Sequence, residues 1–191
     1  MPRISRRALP VATVALARYL IGKHLVHRTA AGRIAGRIVE TEAYPPGDPT
    51  GYARPGLTTS NAPLFAARGT AYVRMVYGAC LTLNLASELE GAGAAVLIRA
   101  LEPTEGIALM LANRPGSRLR DLARGPGRVC AALAIGRELS GVDLCSSPVL
   151  WLERVPGAAD ILVSTRIGLS RDQHRRLRFI ERGSPFVSVP P

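Results

Sequence analysis

Residues 36–44 read Gly-Arg-Ile-Val-Glu-Thr-Glu-Ala-Tyr, and how this stretch folds decides both the architecture and the chemistry. Its β-branched and charged residues fit a strand, in which side chains repeat on one face at every second position. On that period Ile38, Glu40, Glu42 and Tyr44 share one face, while Arg37, Val39, Thr41 and Ala43 share the other. An acid beside a phenol suits a catalytic pocket. The same pattern also suits an edge strand whose glutamates point into water, because charged side chains are ordinarily exposed.

The flanking sequence supplies partners. Lys23–Arg28 alternates as a strand, Thr29–Gly32 makes a turn and Arg33–Tyr44 returns, which predicts a hairpin. Before it, Pro10–Ile21 carries a helical apolar pattern that stops at Gly22, a glycine cap. After it, Pro45–Ser60 is a long Pro/Gly/Thr-rich loop containing Tyr52 and Arg54, of a length that goes with function or mobility. Asn61 is placed to cap a short helix through Ala67. Thr70–Asn84 gives two β-rich runs hinged at Tyr77-Gly78, so Tyr77 is exposed at a hairpin tip, a place that an ordinary turn tyrosine also occupies.

Further along, Ala94–Leu101 is an apolar strand interrupted by Arg99. A charge there needs a carboxylate such as Glu42 or Glu102, since an unpaired buried ion is costly. Thr104 starts a predicted helix to Asn113, and Arg114–Arg124 reads as a surface loop. Gly125-Pro126-Gly127-Arg128 opens the apolar helix Val129–Ile135, an entry that can hold a phosphate on free N–H groups or merely begin a helix. Short strands follow near Val149–Leu152, with Trp151 in the core, and Ile161–Ser164; the segment Arg171–Arg178 is basic.

Composition sets bounds. At 191 residues the chain fits a single domain, 1–191, with residues 1–8 expected as a flexible basic tail. No apolar run is long enough to span a bilayer and the start does not make a convincing secretory signal, so the expected location is cytoplasmic. The formal charge of +11 calls for a polyanionic partner, nucleic acid before membrane. Lys23 is the only lysine, so the charge is carried almost entirely by arginine, which forks onto phosphates; coding bias in a GC-rich genome would enrich arginine too. Cys80, Cys130 and Cys145 have no metal-binding spacing and are expected as reduced, buried thiols. His24 and His27 would face opposite sides of a strand, and neither a metal nor a cofactor is expected.

Together these pieces resemble the alkyladenine type of 3-methyladenine DNA glycosylase, a base-excision repair family. The likeness rests on Gly36–Tyr44, Tyr72-Val73 with Tyr77-Gly78 and Asn84, Val96–Pro103, Gly125–Ile135 and Arg182–Val187, in one unbroken order from about Leu16 almost to the C-terminus. It implies an α+β fold: a single compact domain with a curved antiparallel β-sheet flanked by helices and a positively charged DNA face. It implies a monomer acting on double-stranded DNA containing a damaged purine, without membrane or cofactor, in a bacterial cytoplasm and on the nucleoid when DNA-bound.

By the same resemblance, Glu42 matches the acid that activates the attacking water, and Arg99 its partner. Tyr77 matches the residue that fills the gap left by a flipped base, Tyr44 and Asn84 line the base pocket, and Arg54, Gly125, Arg128 and Arg166 fall to the phosphate-binding face. Three pocket positions depart from the family pattern. Tyr52 stands where a histidine is usual, Arg74 where a stacking tyrosine is usual, and Ala79 where a bulkier residue is common. An arginine plane can stack on a neutral base but repels a cationic one, so an altered substrate range is expected. A non-catalytic lesion-binding protein and an RNA-binding or RNA-modifying domain remain as alternatives.

Overall fold

A computed structural model describes residues 1–190. In chain order the elements are α1 (Thr13–Leu20), β1 (His24–Thr29), β2 (Gly32–Tyr44), β3 (Ala71–Val76), β4 (Cys80–Ala86), β5 (Ala95–Glu105), α2 (Ile107–Asn113), α3 (Pro126–Ala132), β6 (Leu150–Glu153), β7 (Ile161–Ser164) and β8 (Arg178–Glu181). The strands form one curled antiparallel sheet ordered β3-β4-β5-β2-β1-β6, with β8 paired to both β2 and β7. With its helices this makes a single α+β domain.

β2 is the central strand. β5 runs along one side of it, while the other side is shared by β1, opposite Gly32–Arg37, and β8, opposite Glu40–Glu42. Its glutamates therefore lie inside the sheet and not on an edge. The main core fills the face covered by the helices, where Leu16, Leu20, Ile34, Ile38, Ile98, Val129 and Leu133 pack together. A smaller cluster of Val39, Ala100, Ile180 and Val187 packs separately.

The strict two-residue period fails at one point in β2. Ile38 pairs with Leu101 and Glu40 with Ala100, so Val39 is an extra residue on β2; Thr41 then pairs with Ile98, so Arg99 is an extra residue on β5. These opposed bulges flip the phase of both strands, since a bulge re-aims the side chains that follow it. Ile38 consequently joins the main core along with Ala43, whereas plain alternation grouped it with Glu40, Glu42 and Tyr44.

Several boundaries differ from the sequence reading for identifiable reasons. β5 continues through Thr104, whose hydroxyl donates to the Ala35 carbonyl at 3.1 Å instead of capping a helix. Gly106 then makes the break with φ of 70°, in a space where a Cβ would lie 2.4 Å from the Arg33 carbonyl oxygen. Asn61 caps no helix; only a short 3-10 turn, Ala62–Phe65, follows it. Its side chain ties the long loop together, donating to the Tyr52 and Gly56 carbonyls at 3.0 and 2.9 Å and accepting from the Thr58 N–H at 2.7 Å. β8 was hidden in the basic segment.

The expected basic tail is docked: Ile4 is buried, its N–H donates to the Leu152 carbonyl, and the Arg3 guanidinium lies 4.4 Å from the Trp151 ring centre. Trp151 itself is buried with Val26 and Ala35, apart from the main core. Of the thiols only Cys130 is fully buried, which pushes its pKa up to about 12, while Cys80 is exposed. No helix among the described residues is long and apolar enough to cross a membrane.

The β3–β4 hairpin closes through Tyr77 and Gly78, with φ of 51° and 69°, and the Ala79 N–H donates to the Val76 carbonyl at 3.3 Å. Two successive positive φ values are the mark of a type I′ turn, which favours Asn-Gly. A tyrosine at the first position is conformationally costly, and its side chain is 91% exposed, so nothing in the fold offsets the strain. Tyr77→Asn is expected to stabilise the domain by about 1 kcal/mol, raising Tm by about 2–4 °C in a thermal melt; an unchanged or lower Tm would contradict the strain assignment.

Candidate functional site

Residues directly opposite each other in an antiparallel ladder project from the same face. The register here lines up Tyr72, Asn84, Leu97, Glu42 and Arg178 across β3, β4, β5, β2 and β8. In the adjoining row Tyr44 faces Ala95. Arg99 stands two residues beyond Leu97, and the bulges flanking it place it between both glutamates of β2.

The resulting charge network is buried. Arg99 donates from Nε to Glu40 Oε1 at 3.1 Å, and its Nη1 lies 3.2 Å from Glu42 Oε1. Glu102, the other partner considered for Arg99, pairs with Arg37 instead. Glu40 also accepts from Arg178 Nη1 at 3.1 Å, from the Ser188 hydroxyl at 2.8 Å and from the Ser188 N–H at 2.5 Å. Glu42 accepts the Ile167 N–H on Oε1 and the Tyr44 hydroxyl on Oε2, both at 2.8 Å. Both glutamates are 0% exposed.

The two acids are thereby differentiated. Glu40 is saturated by donors and bridges two arginines, which is a structural task. Glu42 has fewer partners, and burial pushes its pKa above the ordinary 4.5, outweighing Arg99, the Ile167 N–H and the Tyr44 hydroxyl, which pull it down. A carboxylate with a raised proton affinity is a better base than an ordinary one. Desolvation is a larger effect than the downward pull of Arg99.

Beside Glu42 is a recessed cavity of about 70 Å³, walled by Tyr44 and Tyr52 and lined by Asn84, Leu97, Thr50 and Leu169. Tyr44 thus touches both the carboxylate and the cavity. Behind Tyr44 lies Arg166, its guanidinium carbon 4.6 Å from the ring centre and its Nη1 bonded to Asp48 Oδ2 at 2.8 Å and the Ala43 carbonyl at 3.1 Å. Burial would raise Asp48, yet hydrogen bonds from Thr50 and Arg166 hold its pKa below the usual value. The Arg166 side chain has no exposed surface, so it supports the Tyr44 wall and does not join the expected phosphate-binding face.

The other sequence-derived positions separate. Arg74 does not line the cavity; its guanidinium carbon sits 4.5 Å from the Tyr52 ring centre and its Nη1 donates to the Tyr72 hydroxyl at 3.1 Å. Arg54, exposed, borders the same outer groove as Tyr52 and Arg74. Ala79, expected in the base pocket, lies on a different, apolar groove with Leu81 and Ile135, because the hairpin turns away from the cavity there. Gly125 and exposed Arg128 border a further groove with Arg114, and Arg128 Nη1 is 3.7 Å from Asp121.

Arg178, Ser188, Asp48 and the Ile167 N–H were not singled out from sequence. For Arg178 a signal existed, the β-prone pair Phe179-Ile180 directly after it, but the preceding arginines masked it. The Ile167 N–H carries no side-chain signature at all.

Comparison with known proteins gives concordant results. A family profile described as methylpurine-DNA glycosylase matches residues 8–185. A protein of Paraburkholderia phytofirmans is 53% identical over 97% of this chain and 87% of its own length, and one of Mesorhizobium japonicum is 54% identical over 99% and 91%. Both carry 3-methyladenine DNA glycosylase in their names. The Mus musculus DNA-3-methyladenine glycosylase is 40% identical over 92% of this chain, which spans 58% of the mouse protein.

Removing a partner from a buried ion network strands the remaining charges, at a cost of about 3–5 kcal/mol. Glu40→Gln leaves Arg99 and Arg178 short of a counter-ion and is expected to destabilise the fold by about that amount in urea denaturation; a loss below about 1 kcal/mol, the range of an exposed pair, would show that Glu40 is dispensable.

Proposed function

The chain belongs to the methylpurine-DNA glycosylase family, and we propose that it is a monofunctional DNA glycosylase of base excision repair. In this reading it flips a damaged, alkylated or deaminated purine out of double-stranded DNA and hydrolyses the N-glycosidic bond with a water activated by Glu42, leaving an abasic site. The observation that carries the proposal is the join between base and catalyst: Tyr44 walls the cavity and donates to the buried Glu42, which is held by Arg99. The same protein acts as a monomer in the bacterial cytoplasm, bound to the nucleoid through its positive surface.

The steps follow from the residues. Tyr77 at the strained hairpin tip fills the gap in the duplex, offsetting part of the few kcal/mol needed to unstack a nucleotide. Glu42 takes a proton from water as the oxygen attacks the sugar, and its negative charge stabilises the oxocarbenium-like carbon. Arg99 holds the carboxylate in place. Arg54, Gly125 and Arg128 contact phosphates, so affinity falls steeply with salt. An amine nucleophile is needed for strand nicking through a Schiff base; Lys23, the single lysine, lies over the Tyr19 ring at 5.2 Å and does not line the cavity, which supports hydrolysis alone.

Glu42→Gln is expected to lower single-turnover base release from a lesion-containing duplex by about 10²–10⁴-fold while leaving duplex affinity within about twofold. Retained turnover would sink the mechanism. Loss of a stacking contact costs about 1–3 kcal/mol, so Tyr77→Ala is expected to shorten the lifetime of the lesion complex at least about fivefold in a dissociation assay; an unaltered lifetime would remove Tyr77 from the flipping step.

A further inference from the structure

Tyr52 is a partition. One side of it lines the recessed cavity with Tyr44, Asn84 and Leu97, and the other side borders the outer groove that contains Arg54 and Arg74. Arg74 stacks on this ring at 4.5 Å and is fixed there by the Tyr72 hydroxyl. Tyr44, the facing wall, is likewise backed by Arg166 at 4.6 Å. No charged side chain lines the cavity itself. The two arginines differ: Arg166 is fully buried and paired with Asp48 at 2.8 Å, a carboxylate that Arg175 shares at 3.1 Å, whereas Arg74 is part-exposed and among the described residues no carboxylate lies within ion-pair distance of it.

An aromatic ring attracts a cation through its negative face, and a ring that already holds a guanidinium has less to offer a second cation on its other face. Through Tyr52, Arg74 therefore imposes positive potential on whatever base occupies the cavity. We infer that Arg74 sets the charge selectivity of the pocket, favouring uncharged damaged purines over cationic, N-alkylated ones. This rests on the glycosylase reading above and adds to it the substrate class.

The chemistry gives the two classes opposite responses. As the C1′–N9 bond breaks, its electron pair moves to the base; a water oxygen bonds to C1′ and the water proton passes to Glu42. An uncharged purine leaves with developing negative charge, to be protonated by solvent, and Arg74 stabilises that charge in the transition state. A cationic purine leaves as a neutral molecule. For it Arg74 opposes binding of the ground state, and the opposition fades as the bond breaks.

The test measures base release by the purified full chain from two substrates, a duplex containing hypoxanthine and a dimethyl sulfate-treated duplex read for free 3-methyladenine. Arg74→Met removes the charge and keeps an unbranched apolar stem; Arg74→Lys keeps the charge. Arg74→Met is expected to lower the single-turnover rate on hypoxanthine about tenfold and to strengthen half-saturation for the methylated duplex by several-fold, with Arg74→Lys close to the unsubstituted ratio. Equal changes on both substrates, or none, would overturn the inference and leave the glycosylase reading intact. Failure of the unsubstituted chain to release any base from either duplex would overturn both.

Discussion

Arg99 shared between Glu40 and Glu42 is the interaction on which the rest of this molecule depends. Three charges at the centre of a sheet are tolerable only with close compensation, because each buried ion forfeits its hydration. The fold supplies it from three directions: Arg178 from β8, Ser188 from the C-terminal segment, and the Ile167 N–H from the turn after β7. These links draw the segment from Ile167 to Ser188 onto β2. The charge network thus organises the fold as well as the site, and Glu40, which bonds to both arginines, does more of that organising than Glu42.

Much of this was legible in the sequence. The β1–β2 hairpin, the Tyr77-Gly78 turn, the need of Arg99 for a carboxylate and the grouping of Glu42 with Tyr44 all follow from local pattern and elementary electrostatics. What was not legible depends on partners distant in sequence. The bulges at Val39 and Arg99 arise from the fit of β2 to β5, and no composition rule marks them; they decide that Ile38 goes to the core and Glu40 to the site. β8 was concealed because Arg178 looks like its neighbours Arg175 and Arg176, yet its side chain is buried on Glu40 while theirs are not. Thr104 and Asn61 satisfied capping rules locally, but a bond to β2 claimed the Thr104 hydroxyl and the backbone of its own loop claimed the Asn61 amide.

The pocket shows a second economy of charge. Aromatic walls are general binding surfaces, tolerant of any flat base; the arginines behind Tyr44 and Tyr52 give them an electrostatic bias without placing a charge inside the cavity. One of those arginines is paired with Asp48, which it shares with Arg175, and is fixed behind the wall, while the other has no carboxylate partner and faces the outer groove. In the proposed mechanism the strained Tyr77 turn and the buried Glu42 follow the same pattern, in which local stability is given up where function requires an unusual residue.

The claim that joins fold to function is that burial makes Glu42 a stronger base than an exposed carboxylate, against the pull of Arg99. It is tested most directly by the pH dependence of the single-turnover base-release rate on a lesion duplex. In the proposed mechanism the ionised form is the active one, so the rate should fall as pH drops through the Glu42 pKa, and the midpoint should lie above 4.5, with this limb absent from the residual activity of Glu42→Gln. A profile that stays flat to below that pH would contradict it, as would a limb that survives the substitution.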